Sequence, residues 1–131
     1  HIAGLPTLHL DVTASWDGGQ VFVQMDDDDA GIRLGHATMD IRYHQGGYEP
    51  TTVLPGQGLT MLMEFQAMDV ILPAGNWFTL TLSSSGEDYL PPACSALCPV
   101  SVSGGTLSLP VIDRDGSNIL ITPQSEDAAN N

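Results

Sequence analysis

Two-residue alternation, restarted about every ten residues, is what most constrains this chain. Phe78, Leu80 and Leu82 share one parity, with Thr79, Thr81 and Ser83 on the other. Val70-Ile71-Leu72 precedes them across Pro73-Ala74-Gly75, so residues 70–85 are expected to form a β-hairpin. The same period appears at Leu8, Leu10, Val12 and Ala14, at Val21, Val23 and Met25, and at Leu59, Met61, Met63, Phe65 and Ala67. A third strand is expected from about Ile32 to Tyr43, with Ala37, Met39, Ile41 and Tyr43 on one face. Ile32 and Leu34 have the opposite parity, which predicts a β-bulge near Gly35.

Between these runs lie turn residues: Trp16-Asp17-Gly18-Gly19, Asp26-Asp27-Asp28-Asp29-Ala30-Gly31, and a long loop from Gln45-Gly46-Gly47 to Pro55-Gly56-Gln57-Gly58. Val100 and Val102 begin a further strand, Gly104-Gly105 is expected to turn it, and Leu107, Leu109 and Val111 make the next. Ile119 and Ile121 suit a last short strand. Eight or nine antiparallel strands without a significant helix predict an all-β, two-sheet sandwich with jelly-roll topology. One domain is expected over residues 1–122, with 123–131 a polar tail or linker.

The chain has 131 residues, enough for one sizeable core, and no run approaches the roughly 18 apolar residues of a membrane helix. Sixteen acidic residues face three arginines (Arg33, Arg42 and Arg114) and no lysine, a formal charge of −13. That charge repels phosphate backbones and anionic lipids, so neither nucleic acid nor a membrane surface is an expected partner. It suits a secreted or cell-surface protein, of a marine or salt-adapted organism, where counterions screen the excess. Cys94 and Cys98 lie in a proline-bounded loop, where a small disulfide clip is expected, two free thiols being the alternative. Cys-x-x-x-Cys without a nearby histidine is only half a zinc site.

The residues offer little chemistry. No Gly-x-Ser-x-Gly elbow occurs, and His1, His9, His36 and His44 are scattered, so no catalytic residue is assigned. Adjacent carboxylates could be relieved by calcium, with Asp26, Asp28, Asp29, Asp113 and Asp115 as candidates, although neither run has a complete EF-hand order and solvated turns are the first reading. No other cofactor is expected. Trp16, Trp77 and Tyr89 fall at loops or strand starts and are candidates for an interdomain or ligand surface.

Taken in order, these segments resemble a known family. Ile2-Ala3-Gly4-Leu5-Pro6, the strand ending at Asp26, Ala30-Gly31-Ile32, Gly35 to Arg42-Tyr43, Leu72-Pro73-Ala74-Gly75, Ser83-Ser84-Ser85 and Leu109-Pro110-Val111-Ile112 are similar to the C-terminal jelly-roll domain of X-Pro dipeptidyl-peptidase and cocaine esterase-like (acyl-esterase) serine hydrolases. The resemblance runs from about Ala3 to Ile112. It implies a non-catalytic domain that packs on an upstream α/β-hydrolase domain of the same polypeptide and helps shape the active-site entrance. Asn76-Trp77 stands where that family has His-Arg, and Gly86 to Pro92 with the cysteine loop replaces a Phe-Pro-x-x-Asp-Arg-Asn segment. The alternatives are a free-standing extracellular binding or adhesion module, dependent on calcium or carbohydrate, and a subunit of an extracellular assembly.

Overall fold

The computed structural model describes residues 1–86 and 98–112, and the backbone of 118–119. Its strands are β1 (Ile2–Gly4), β2 (Thr7–Ala14), β3 (Gln20–Asp27), β4 (Ile32–Asp40), β5 (Gly58–Glu64), β6 (Met68–Val70), β7 (Phe78–Ser83), β8 (Val100–Ser108), β9 (Val111–Ile112) and β10 (Asn118–Ile119). They form three antiparallel sheets in the orders β5-β2-β8, β4-β3-β7 and β10-β9-β1-β6. The first two supply the faces of a β-sandwich, and the connections β2 to β3, β4 to β5 and β7 to β8 cross between them in jelly-roll fashion.

The alternating residues explain the core. Leu8, Leu10, Val12 and Ala14 of β2 meet Val21, Val23 and Met25 of β3, with Met61 and Met63 of β5 in the same cluster. Apart from Ala14, each such side chain contributes roughly 1.5–3 kcal/mol when withdrawn from water. The intervening His9 and Asp11 of β2 face solvent, as do Thr60, Leu62 and Glu64 of β5. The expected bulge is present: Met25 pairs with Gly35 and Asp26 with Arg33, leaving Leu34 as the extra residue. β3 is buried on both faces, because Phe22 lies under His36, ring centroids 6.0 Å apart, and against Gly86.

Several expectations need correction. Residues 70–85 are not a hairpin: β6 pairs with β1 and β7 with β3, in different sheets. Gly104-Gly105 is not a turn but lies inside β8, where Gly105 pairs with Leu10. A side chain there would meet His9 O at 2.9 Å and Leu10 Cδ2 at 2.8 Å, so glycine serves close strand approach. The strand expected to reach Tyr43 stops at Asp40, whose carboxylate accepts the Arg42 N–H at 2.9 Å and starts a 3-10 turn over Ile41–Tyr43. The strand expected to reach Ala67 ends at Glu64, though Phe65 is still buried.

Strand directions place the loops at two ends. Residues 15–19 and 41–57 share the first end, and 28–31 and 71–77 share the second, beside the sheet containing β1 and β6. The tail from 123 onward lies outside the described residues.

Candidate functional site

The most ordered polar constellation is at the second end, and it grows out of the strand period. Val21, Val23 and Met25 are core-facing, and the next residue of that parity is Asp27, only 2% exposed. A carboxylate so placed must find donors. Its Oδ1 accepts the N–H groups of Asp29 at 3.1 Å and Ala30 at 3.0 Å, and Asn76 Nδ2 lies 3.3 Å from both carboxylate oxygens. Gly31, at φ 66°, donates its N–H to Asp27 O at 2.8 Å and closes the loop. One buried side chain thus folds 27–31 on itself and binds it to the turn before β7.

The neighbouring aspartates extend the clamp. Asp29 Oδ2 accepts the Trp77 N–H at 2.7 Å, and the Asp28 N–H donates to Trp77 O at 3.1 Å. Thr79 Oγ1 donates to Asp28 Oδ2 at 2.6 Å. Both backbone polar groups of Trp77 are therefore occupied, while the residue is 72% exposed. Ile71, 78% exposed, precedes the same turn, which the Asn76 N–H closes on Pro73 O at 3.1 Å.

Three of the calcium candidates have hydrogen-bond partners among the described residues. Asp28 and Asp29 serve as acceptors in the clamp, and Asp26 accepts from Gln24 Nε2 at 2.7 and 2.9 Å. Among the described residues, no three His, Cys, Asp or Glu side chains gather as metal ligands would. Asp113 and Asp115 lie outside the described residues. Asp27, which is not among the calcium candidates, is the buried member of the run. Continuing the 21, 23, 25 parity by one step would have found it.

The surface candidates do not form one patch. Trp16, 61% exposed, belongs to the first end and Trp77 to the second, while Tyr89 lies outside the described residues. The first end is stitched mainly through the backbone: Ile41 N to Gly19 O at 2.9 Å, Thr51 N to Arg42 O at 2.8 Å, and Gly56 N to Ala14 O at 2.7 Å. There Arg42 grips Asp40, Nη2 to Oδ2 at 2.6 Å. Burial opposes the charge on Asp40, but the Arg42 side-chain and backbone donors and its positive charge outweigh it, so the Asp40 pKa lies below the usual carboxylate value.

A surface cavity of about 440 Å³ opens between the β4 and β5 edges, lined by Thr38, Met39, His44, Gln45, Leu62 and Glu64 among others. His44 Nδ1 lies 2.9 Å from Ile41 O and 3.4 Å from Thr51 Oγ1. The Thr51 hydroxyl donates instead to Arg42 O at 2.7 Å. With the hydroxyl proton and the imidazole Nδ1 both committed to backbone carbonyls, this pair has no nucleophile–base geometry. Cys98 is buried and no cysteine among the described residues is a free thiol, but Cys94 lies outside them, and with it the expected clip. No helix among the described residues is long and apolar enough to cross a membrane.

A family model described as the X-Pro dipeptidyl-peptidase C-terminal non-catalytic domain matches residues 1–106. No curated protein matches the chain, and no solved structure does.

Proposed function

This chain belongs to the family of X-Pro dipeptidyl-peptidase C-terminal non-catalytic domains, and from that premise we propose that it packs on a catalytic α/β-hydrolase domain of its own polypeptide. In that role it stiffens the hydrolase and forms part of the wall around the active-site entrance. Hydrolysis would proceed upstream, by acyl transfer to water through a Ser-His-Asp triad. The observation that carries this reading is the family match over residues 1–106. An acidic domain with an exposed tryptophan at each end suits a docking module.

The test is the intact mass and peptide map of the native gene product that carries this segment. A product several times heavier than 13.9 kDa, with a Gly-x-Ser-x-Gly peptide upstream, is the expected result. A native product of about this mass would overturn the accessory role and favour a free-standing binding or assembly module. Secretion is part of the same reading, and a cytoplasmic native product would remove it.

A further inference from the structure

We infer that Trp77 is the anchor through which this domain docks on its catalytic domain, entering an apolar pocket whose rim carries arginine or lysine. The inference rests on the packing role proposed above and specifies which end of the sandwich performs it.

The first ground is the cost of presenting Trp77. An indole 72% exposed packs little of its surface on its own domain, yet its backbone is held from both sides, N–H on Asp29 and C=O on the Asp28 N–H. Holding it there takes three consecutive aspartates, one of them 2% exposed, with Asn76 and Thr79 as partners. Fixing a large aromatic before contact removes the ordering cost at contact, which is how interface anchors gain affinity. Trp16 has no comparable clamp: its carbonyl accepts only the nearby Gly18 N–H, at 3.0 Å, among its described backbone bonds.

The second ground is where the polypeptide arrives. A C-terminal domain is entered from the catalytic side through its first strand, here β1. His1 sits at the second end, its carbonyl accepting the Ile112 N–H at 2.8 Å and its ring meeting Asp69. Ile2 pairs with Val70, so the exposed Ile71 lies beside that arrival point and Trp77 follows across the same turn. A domain tethered there meets the second end at high effective concentration, whereas the first end lies a strand-length away. The third ground is charge. Exposed Asp28 and Asp29 flank Trp77, and Asp69 lies on β6, so a basic rim complements the surface around the apolar contact.

Hydroxyl-radical footprinting of the 131-residue chain and of the longer native product tests this residue by residue. Labelling of Trp77 should fall by about tenfold in the longer product, as expected for a desolvated anchor, while Trp16 stays unchanged. Ile71 should follow Trp77. Trp77→Ala in the longer product should restore labelling at Ile71, and Trp16→Ala should not. If Trp16 or Tyr48 becomes protected and Trp77 does not, the anchor is wrong and the packing role survives. If no residue of this domain becomes protected, both fall.

Discussion

The two ends of the sandwich each carry an exposed tryptophan but are built by different means. At the second end, side-chain carboxylates hold backbone: Asp27 binds the amides of Asp29 and Ala30, and Asp29 binds that of Trp77. At the first end, backbone mainly holds backbone, as in Ile41 to Gly19 and Gly56 to Ala14, with the Asp40 carboxylate capping the Arg42 N–H. The difference shows where this domain concentrates its polar order. The clamp depends on one buried carboxylate and should fail as a unit, while the stitched loops distribute their bonds and should fail piecemeal.

Removing the carboxylate is the strongest way to break that comparison. Asp27→Ala leaves the amides of Asp29 and Ala30 and the side-chain amide of Asn76 without their acceptor in a part-buried site. A loss of about 2 kcal/mol is expected in urea unfolding, within the range for unsatisfied polar groups. Hydrogen exchange should speed up over 28–31 and 76–79 while the amides of Gly56 and Thr51 keep their protection. Equal loosening of both ends would show that the clamp is not an independent unit.

The matching change at the first end is Gly19→Ala. Gly19 has φ 133°, and a Cβ there would meet Val100 Cγ2 at 2.7 Å and Cys98 O at 3.2 Å. Strain and overlap together should cost about 2 kcal/mol. Exchange should accelerate at Ile41, which donates to Gly19 O, with the Asp27 clamp intact. If instead Asp29 and Ala30 lose protection, the ends are coupled through β3.

Much of this contrast was legible in the residues, but unevenly. The inward positions followed from parity, and even Asp27 could be placed by extending Val21, Val23 and Met25. The bulge at Leu34 followed from the parity change across Gly35. Strand partners were another matter. β6 and β7 flank a good turn, yet β7 pairs with β3 through Phe78 opposite Asp27, a contact 51 residues apart that no local pattern encodes. Gly104-Gly105 carried a turn signal, but its cause was tertiary, the close passage of β8 over Leu10 and His9. For the docking site, the aromatics were legible as candidates. Their separation to opposite ends was not, because it depends on strand direction through the whole sandwich.

A third change probes the first end through the cysteines. A Cys94–Cys98 bond would close only a short loop, so reduction should lower stability by no more than about 2 kcal/mol. Mass spectrometry without reductant checks the bond, which removes two hydrogens. Its loss should leave Trp77 and the clamp unaffected, since the second end shares no described bond with that segment.

The smallest effect distinguishes the ends by charge. Asp40→Asn keeps an oxygen to accept the Arg42 N–H but removes the negative charge that Arg42 grips. The pair is partly exposed, side chains 26% and 42% accessible, so solvent screening limits its worth to under about 1 kcal/mol. Because the folded pKa of Asp40 is lowered, its contribution is present above the unfolded value of about 3.9 and is lost as pH falls through the folded pKa. The native chain should therefore be slightly more stable than Asp40→Asn near neutrality, with the gap closing only in acid below about pH 4. A gap that persisted unchanged below that range would mean the substitution had disturbed the 3-10 turn rather than the charge. The cap that Asp40 makes on the Arg42 N–H would then matter more to the first end than the charge that Arg42 grips.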